Sequence, residues 1–128
     1  GQSVALISDL NGDGHADSLV GSPGYDSPGL AGAGRVAVYL GREEPNSDFD
    51  FVYLPLDGWA HHLGYSVAAA GDVNGDGFGD AIVGEPSQGS GVDTGTAYLY
   101  LGGSTPGTDP ALALTGESLG DGFGMSVW

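Results

Sequence analysis

The sequence predicts an all-β fold of four-stranded antiparallel sheets, two β-propeller blades per chain. Three observations point there. The apolar residues, 40% of 128, come in short bursts of Val, Leu, Ala and Tyr between 26 glycines, the pattern of many short strands rather than of a disordered linker. The chain repeats itself: Asp9 aligns with Asp72 at an offset of 63, Gly34 with Gly95 at 61, and Leu63 with Phe123 at 60, the offset drifting in loops where length is cheap to change. Each repeat offers four strand candidates in about sixty residues, the size of one blade. A single blade leaves two apolar faces uncovered, and stacking covers them. Two blades are therefore expected to close only by oligomerisation or as part of a longer chain.

In chain order, the first strand candidates are residues 3–8 and 65–71, rich in small side chains such as Val67-Ala68-Ala69-Ala70, which suit the crowded inner edge of a radial array. The second, 17–21 and 80–84, are short apolar runs ending at glycine. The third, 35–40 and 96–101, alternate with apolar residues on both faces, so both faces should be covered. The fourth are 51–56 and 111–115. The units are then 1–62 and 63–122, with 123–128 as the first strand of a further blade or a closing strand.

Between the first and second strands of each repeat stands the same loop, Asp9-Leu10-Asn11-Gly12-Asp13-Gly14-His15-Ala16-Asp17 and Asp72-Val73-Asn74-Gly75-Asp76-Gly77-Phe78-Gly79-Asp80. Both read D-x-N-x-D-G-x-x-D. Oxygen side chains at alternating positions turn toward one point as a loop curls, and Ca²⁺ takes about six to eight oxygens, including a backbone carbonyl at position 7. Those carbonyls would be His15 and Phe78, while Gly14 and Gly77 stand where the loop turns sharply. An EF-hand is excluded, because its closing Glu at position 12 is Val20 or Val83 here and strands follow rather than helices. Two Asx-rich turns without metal are the competing reading.

The net charge is −15, from 17 acidic residues against Arg35 and Arg42. Nucleic acid and anionic membranes are poor partners for such a chain. Bound cations offset part of the excess, and solubility alone also explains it. There is no cysteine to report a redox compartment, and no apolar run approaches the ~20 residues of a membrane span. With no signal peptide at Gly1, the sequence reads as a mature, soluble, excised piece.

The stretches Leu63-Gly64-Tyr65-Ser66-Val67-Ala68, 72–80, Val83-Gly84-Glu85-Pro86 and 95–102 resemble the FG-GAP repeats of the integrin α-subunit propeller and its bacterial relatives, over nearly the whole chain. Leu63 replaces the Phe of the FG pair, which Phe123-Gly124 keeps, and Ser22 and Glu85 replace the Ala of GAP. The resemblance implies calcium loops between the first two strands of a blade. Carried over, the ligands are Asp9, Asn11, Asp13, Asp17 and Asp72, Asn74, Asp76, Asp80, with the carbonyls of His15 and Phe78, for two Ca²⁺ sites per chain. It also implies an extracellular or cell-surface protein with a protein or glycan ligand.

Meander geometry puts the calcium loops at one end of the sheets and loops 22–33, 57–62, 85–94 and 116–122 at the other. Tyr25, Asp26, Trp59 and His61 are the ligand candidates there, aromatics on a polar rim being common anchors. Packing between blades is the other use of Trp59. His61-His62 lacks the further ligands of a zinc site. No Gly-x-Ser-x-Gly elbow occurs, and nothing fixes the spacing of Asp57, Glu117 and Asp121, so no enzyme is expected. The leading expectation is a calcium-binding, integrin-like extracellular adhesion or ligand-binding module. The alternative is a structural fragment that self-assembles into a ring, three chains first and four second. Its partners would be copies of itself or the rest of a longer propeller.

Overall fold

The computed structural model describes residues 1–56, 61–86 and 94–128. They form two four-stranded antiparallel meanders and, among the described residues, no helix. The first sheet runs β1 (Ser3–Ile7), β2 (Asp17–Gly21), β3 (Val36–Tyr39) and β4 (Phe51–Tyr53) in sequential order. The second runs β5 (Ser66–Gly71), β6 (Asp80–Glu85), β7 (Thr96–Tyr100) and β8 (Leu112–Thr115) in the same way. All eight expected strands form: β2 keeps its expected bounds, β6 gains Glu85, and the others lose up to three end residues. The largest loss is at β4, which stops before Leu54-Pro55, where Pro has no N–H to extend a ladder.

The registers repeat rung for rung. Ala5, Leu19, Val38 and Phe51 share one rung of the first sheet, and Ala68, Ile82, Leu99 and Leu112 share the matching rung of the second. A register shift between Ala69 and Gly71 is confined to β5. The sheets stack as neighbouring blades, with β1 and β2 lying against β5. Ile7, Leu19, Val36, Val38 and Tyr53 of the first meet Val67, Ala81, Val83 and Tyr100 of the second in one apolar core. At its centre the rings of Tyr53 and Tyr100 stack with centroids 3.7 Å apart.

A recurring joint follows each sheet. The Ser3 hydroxyl donates to the Gly64 carbonyl at 2.9 Å, and the Ser66 hydroxyl donates to the Gly124 carbonyl at the same distance. Parallel bridges join Gly34 to Leu63 and Gly95 to Phe123. The approach is close: a Cβ on Gly21 would stand 2.1 Å from the Gly64 oxygen, and one on Gly84 would stand 1.9 Å from that of Gly124. Residues 123–128, expected as a strand, make only the Phe123 bridge and no ladder. A strand exists by pairing, and no second strand of a further blade lies beside this segment.

Candidate functional site: the paired acidic loops

Each acidic loop is built by its own side chains on backbone N–H groups. The Asp9 carboxylate accepts from Gly12, Asp13 and Gly14 at 2.6–2.9 Å. Asn11 accepts from the Asp13 N–H, and Asp13 accepts from the His15 N–H and the Asn11 amide. The second loop repeats every one of these bonds: Asp72 accepts from Gly75, Asp76 and Gly77, Asn74 from Asp76, and Asp76 from Phe78 and Asn74. The turn needs glycine at position 6, where Gly14 and Gly77 have φ of 89° and 92°.

The ninth residue does something different. Asp17 and Asp80 are buried. Asp17 accepts from the Leu10 N–H in its own loop and from the Gly41 N–H beyond β3, both at 2.6 Å. Asp80 accepts from Val73 and Gly102 at 2.8 Å. These two carboxylates thus pin the acidic loop to the end of the third strand. Gly41 and Gly102 were not singled out from sequence as site residues. Their signal was the Leu-Gly that ends both third-strand runs, and the reason for glycine is contact: a Cβ on Gly102 would stand 2.3 Å from the Gly79 oxygen.

The two loops also touch. Gly79 donates to the Asp9 carbonyl and Gly103 to the Leu10 carbonyl, each at 2.8 Å. The Phe78 ring fills the space over Gly12, where a Cβ would stand 2.5 Å from Cε1.

Electrostatically the loops are uncompensated. Among the described residues the one ion-pair contact to either loop is His15 Nδ1, 3.4 Å from Asp13 Oδ1, and Arg42, next to Gly41, is paired with Asp50 instead. The Asn11 amide and the His15 N–H hold the Asp13 carboxyl below its ordinary range, so it is ionised at neutral pH. Burial pushes the Asp17 carboxyl up, against the two N–H groups it accepts, and the charges of Asp13 and Asp9 push the same way. Among the described residues no three His, Cys, Asp or Glu side chains stand gathered as a metal cluster. The donor chemistry nevertheless fits a hard cation: every polar side-chain group except His15 is a carboxylate or amide, and a carboxylate oxygen accepting an N–H keeps lone-pair capacity.

Of the ligand candidates at the other end, Tyr25, Asp26 and His61 lie among the described residues. Asp26 accepts from the Gly32 N–H at 2.8 Å, and the Tyr25 ring lies under the Arg35 guanidinium, 4.2 Å from its centroid. Both serve their own loop. His61 is half-buried, and Trp59 lies outside the described residues. No helix among the described residues is long and apolar enough to cross a membrane.

The FG-GAP repeat profile matches residues 1–39 and 63–100. The chain is 42% identical over 110 residues to rat phosphatidylinositol-glycan-specific phospholipase D, covering 77% of the chain and 13% of that protein. It is 37% identical over 131 residues to chicken integrin alpha-6, covering 99% of the chain and 12% of that protein. To rat integrin alpha-7 it is 37% identical over 130 residues, 99% of the chain and 11% of that protein. The chain thus spans about an eighth of the curated relatives it matches. Two blades with repeated registers, repeated joints and repeated loops, matched twice by the same profile, place this chain in the FG-GAP repeat family.

Proposed function

We propose that the chain is a calcium-binding propeller module of an extracellular protein, serving adhesion or ligand binding rather than catalysis. The observation that carries the reading is the bond-for-bond identity of the two acidic loops. Side-chain-built turns need not be acidic; asparagine or serine would cap the same N–H groups. Here aspartate stands at positions 1, 5 and 9 in both loops, and among the described residues the one ion-pair contact to them is that of His15 with Asp13. A bound Ca²⁺ would supply the missing positive charge. Asp9, Asn11 and Asp13, the His15 carbonyl and Asp17 would hold one ion, and Asp72, Asn74 and Asp76, the Phe78 carbonyl and Asp80 the other. The chain's own residues preorganise the loops and set the blade spacing. Sites built from side chains on short loops suit the millimolar calcium found outside cells.

The test is the thermal midpoint in Ca²⁺ against chelator. Binding to the folded state adds RT ln(1 + [L]/Kd), about 2.7 kcal/mol per site at a hundredfold excess over Kd. The midpoint should rise with Ca²⁺, and equal midpoints would remove the metal reading. The partner remains a protein or glycan displayed to the end opposite the acidic loops, where Tyr25, Asp26 and His61 lie.

A further inference from the structure

We infer that Asn11 and Asn74 are modification sites at which the chain deamidates spontaneously, held in check by the bonds of their own loops and, for Asn11, by Phe78 of the second blade. The argument rests on those bonds and not on the calcium reading.

The chain has three asparagines, and two of them, Asn11 and Asn74, precede glycine. The backbone nitrogen after an asparagine attacks the side-chain carbonyl carbon. The new N–C bond closes a succinimide ring, the C–NH2 bond breaks, and ammonia leaves with the proton that the nitrogen lost. Water then opens the ring at either carbonyl carbon and gives aspartate or isoaspartate. No oxidant, metal or enzyme takes part. Glycine favours the attack, because it has no Cβ to hinder the close approach. Both products alter the loop. Aspartate at position 11 adds a carboxylate to those of Asp9, Asp13 and Asp17. Isoaspartate carries the main chain through its own Cβ and Cγ. That places an extra carbon ahead of Asp13 or Asp76 and puts the alternation of oxygen groups out of step.

In the folded loop both reactants are tied. The Gly12 N–H donates to Asp9 Oδ1 at 2.6 Å, and the Gly75 N–H donates to Asp72 Oδ1 at 2.8 Å. The nitrogen attacks as it loses its proton, and an amide anion facing a carboxylate at that distance is disfavoured by repulsion. The asparagine side chains are turned the other way, toward the residue two places on. Asn11 accepts from the Asp13 N–H at 3.1 Å and donates to Asp13 Oδ2 at 3.0 Å. Asn74 makes the same pair of bonds with Asp76, at 3.1 and 2.8 Å. Each attack therefore waits for these three hydrogen bonds to open. The first loop has a further restraint from the other blade, the Phe78 ring that lies over Gly12. Asn46 provides the contrast. It precedes serine in an exposed loop and keeps, among the described residues, one bond, from the Asp48 N–H at 3.2 Å.

The test is peptide mapping of the full chain aged in chelator at mildly alkaline pH, folded and in urea. Mass spectrometry reads the mass gained as NH2 becomes OH, and the rate at Asn46 corrects for conditions. In urea Asn11 and Asn74 should outpace Asn46. Folding should slow both by about tenfold or more relative to Asn46, because three bonds must open first. Phe78→Ala keeps the backbone N–H that Asp76 accepts, so it should speed Asn11 severalfold and leave Asn74 at its wild-type rate. Asp9→Ala should speed Asn11 alone and Asp72→Ala should speed Asn74 alone, which keeps the inference open to refutation if the Phe78 variant fails to fold. Each chain is checked for folding by circular dichroism, and the untouched loop is the second check, because global unfolding speeds both sites. Asn-Gly sites no faster than Asn46 in urea, or rate ratios unchanged by folding, would overturn the inference. A folded Phe78→Ala chain that leaves Asn11 at its wild-type rate, or an Asp9→Ala chain in which Asn11 slows, would overturn it as well.

Discussion

Replacing Asp80 separates the structural work of the acidic loop from its cation chemistry. Its two oxygens accept the Val73 and Gly102 N–H groups at 2.8 Å from a fully buried position. Hydrogen bonds to a charged group contribute about 1.5–3 kcal/mol each, and alanine would strand both donors. Removing the cost of burying the carboxylate offsets part of that sum, which leaves a loss of about 3–5 kcal/mol. That is a large share of the ~5–15 kcal/mol stability of a small domain, and it corresponds to a fall of roughly 10–20 °C in thermal midpoint. Asp76 is the control. It accepts from the Phe78 N–H and the Asn74 amide at an exposed site, where water replaces it, so Asp76→Ala should cost under about 1 kcal/mol in chelator. In Ca²⁺ the same change should remove its loop's increment, near 2.7 kcal/mol at a hundredfold excess over Kd. The assay is differential scanning calorimetry of both variants with chelator and with Ca²⁺. An Asp80→Ala midpoint in chelator within a degree or two of wild type would refute the pinning argument. Asp80→Asn, which keeps one acceptor, should fall between and guards against an unfolded alanine variant.

Two further changes test the packing and the charge. Tyr53 is fully buried, and its hydroxyl finds no partner among the described residues. Tyr53→Phe keeps the ring stack on Tyr100 and removes an orphaned polar group, so it should raise stability by about 1 kcal/mol in chemical denaturation; a loss would show that the hydroxyl is satisfied in solution. Asp50 accepts from the Leu40 N–H and pairs with Arg42; burial pushes its carboxyl up, but those two partners outweigh it and hold the folded value below 3.8. Its stabilisation is therefore present above that unfolded value and lost as pH falls through the folded one. Asp50→Asn should flatten this part of the acid limb in a pH series of midpoints, by less than about 1 kcal/mol for a surface pair, and an unchanged limb would contradict the assignment.

The blades were legible because each of their causes is local. Alternation in Val36-Ala37-Val38-Tyr39, a glycine closing each second strand, and an offset near sixty residues fix strand identity and order without knowledge of contacts. The acidic loops were legible for the same reason, since six residues of one turn cap each other. What spacing did not carry was the partner of each buried carboxylate. Asp17 meets Gly41 across 24 positions, and Asp80 meets Gly102 across 22. Those bonds depend on how the third strand ends against the loop, which no period encodes. For residues 123–128 spacing likewise carries no partner, because a strand is a property of a pair.

The two acidic loops are also joined to one another. Asp9 and Leu10 give their side-chain carboxylate and N–H to the first loop and their carbonyls to Gly79 and Gly103 of the second blade. Asp80, which closes the second loop, follows Gly79 directly in β6. Phe78 of the second loop rests its ring on Gly12 of the first, where φ is +80° and a side chain would collide with it. A shift of either loop therefore moves the hydrogen bonds that set the spacing between blades. Charge neutralised in one loop acts on the joint as well as on its own turn. Burial, and after it the charges of Asp13 and Asp9, pushes the Asp17 carboxyl up, and the Leu10 whose N–H Asp17 accepts also holds Gly103 of the second blade. Asp17 and Asp80 hold equivalent bonds, so Asp17→Ala should lower the midpoint in chelator much as Asp80→Ala does.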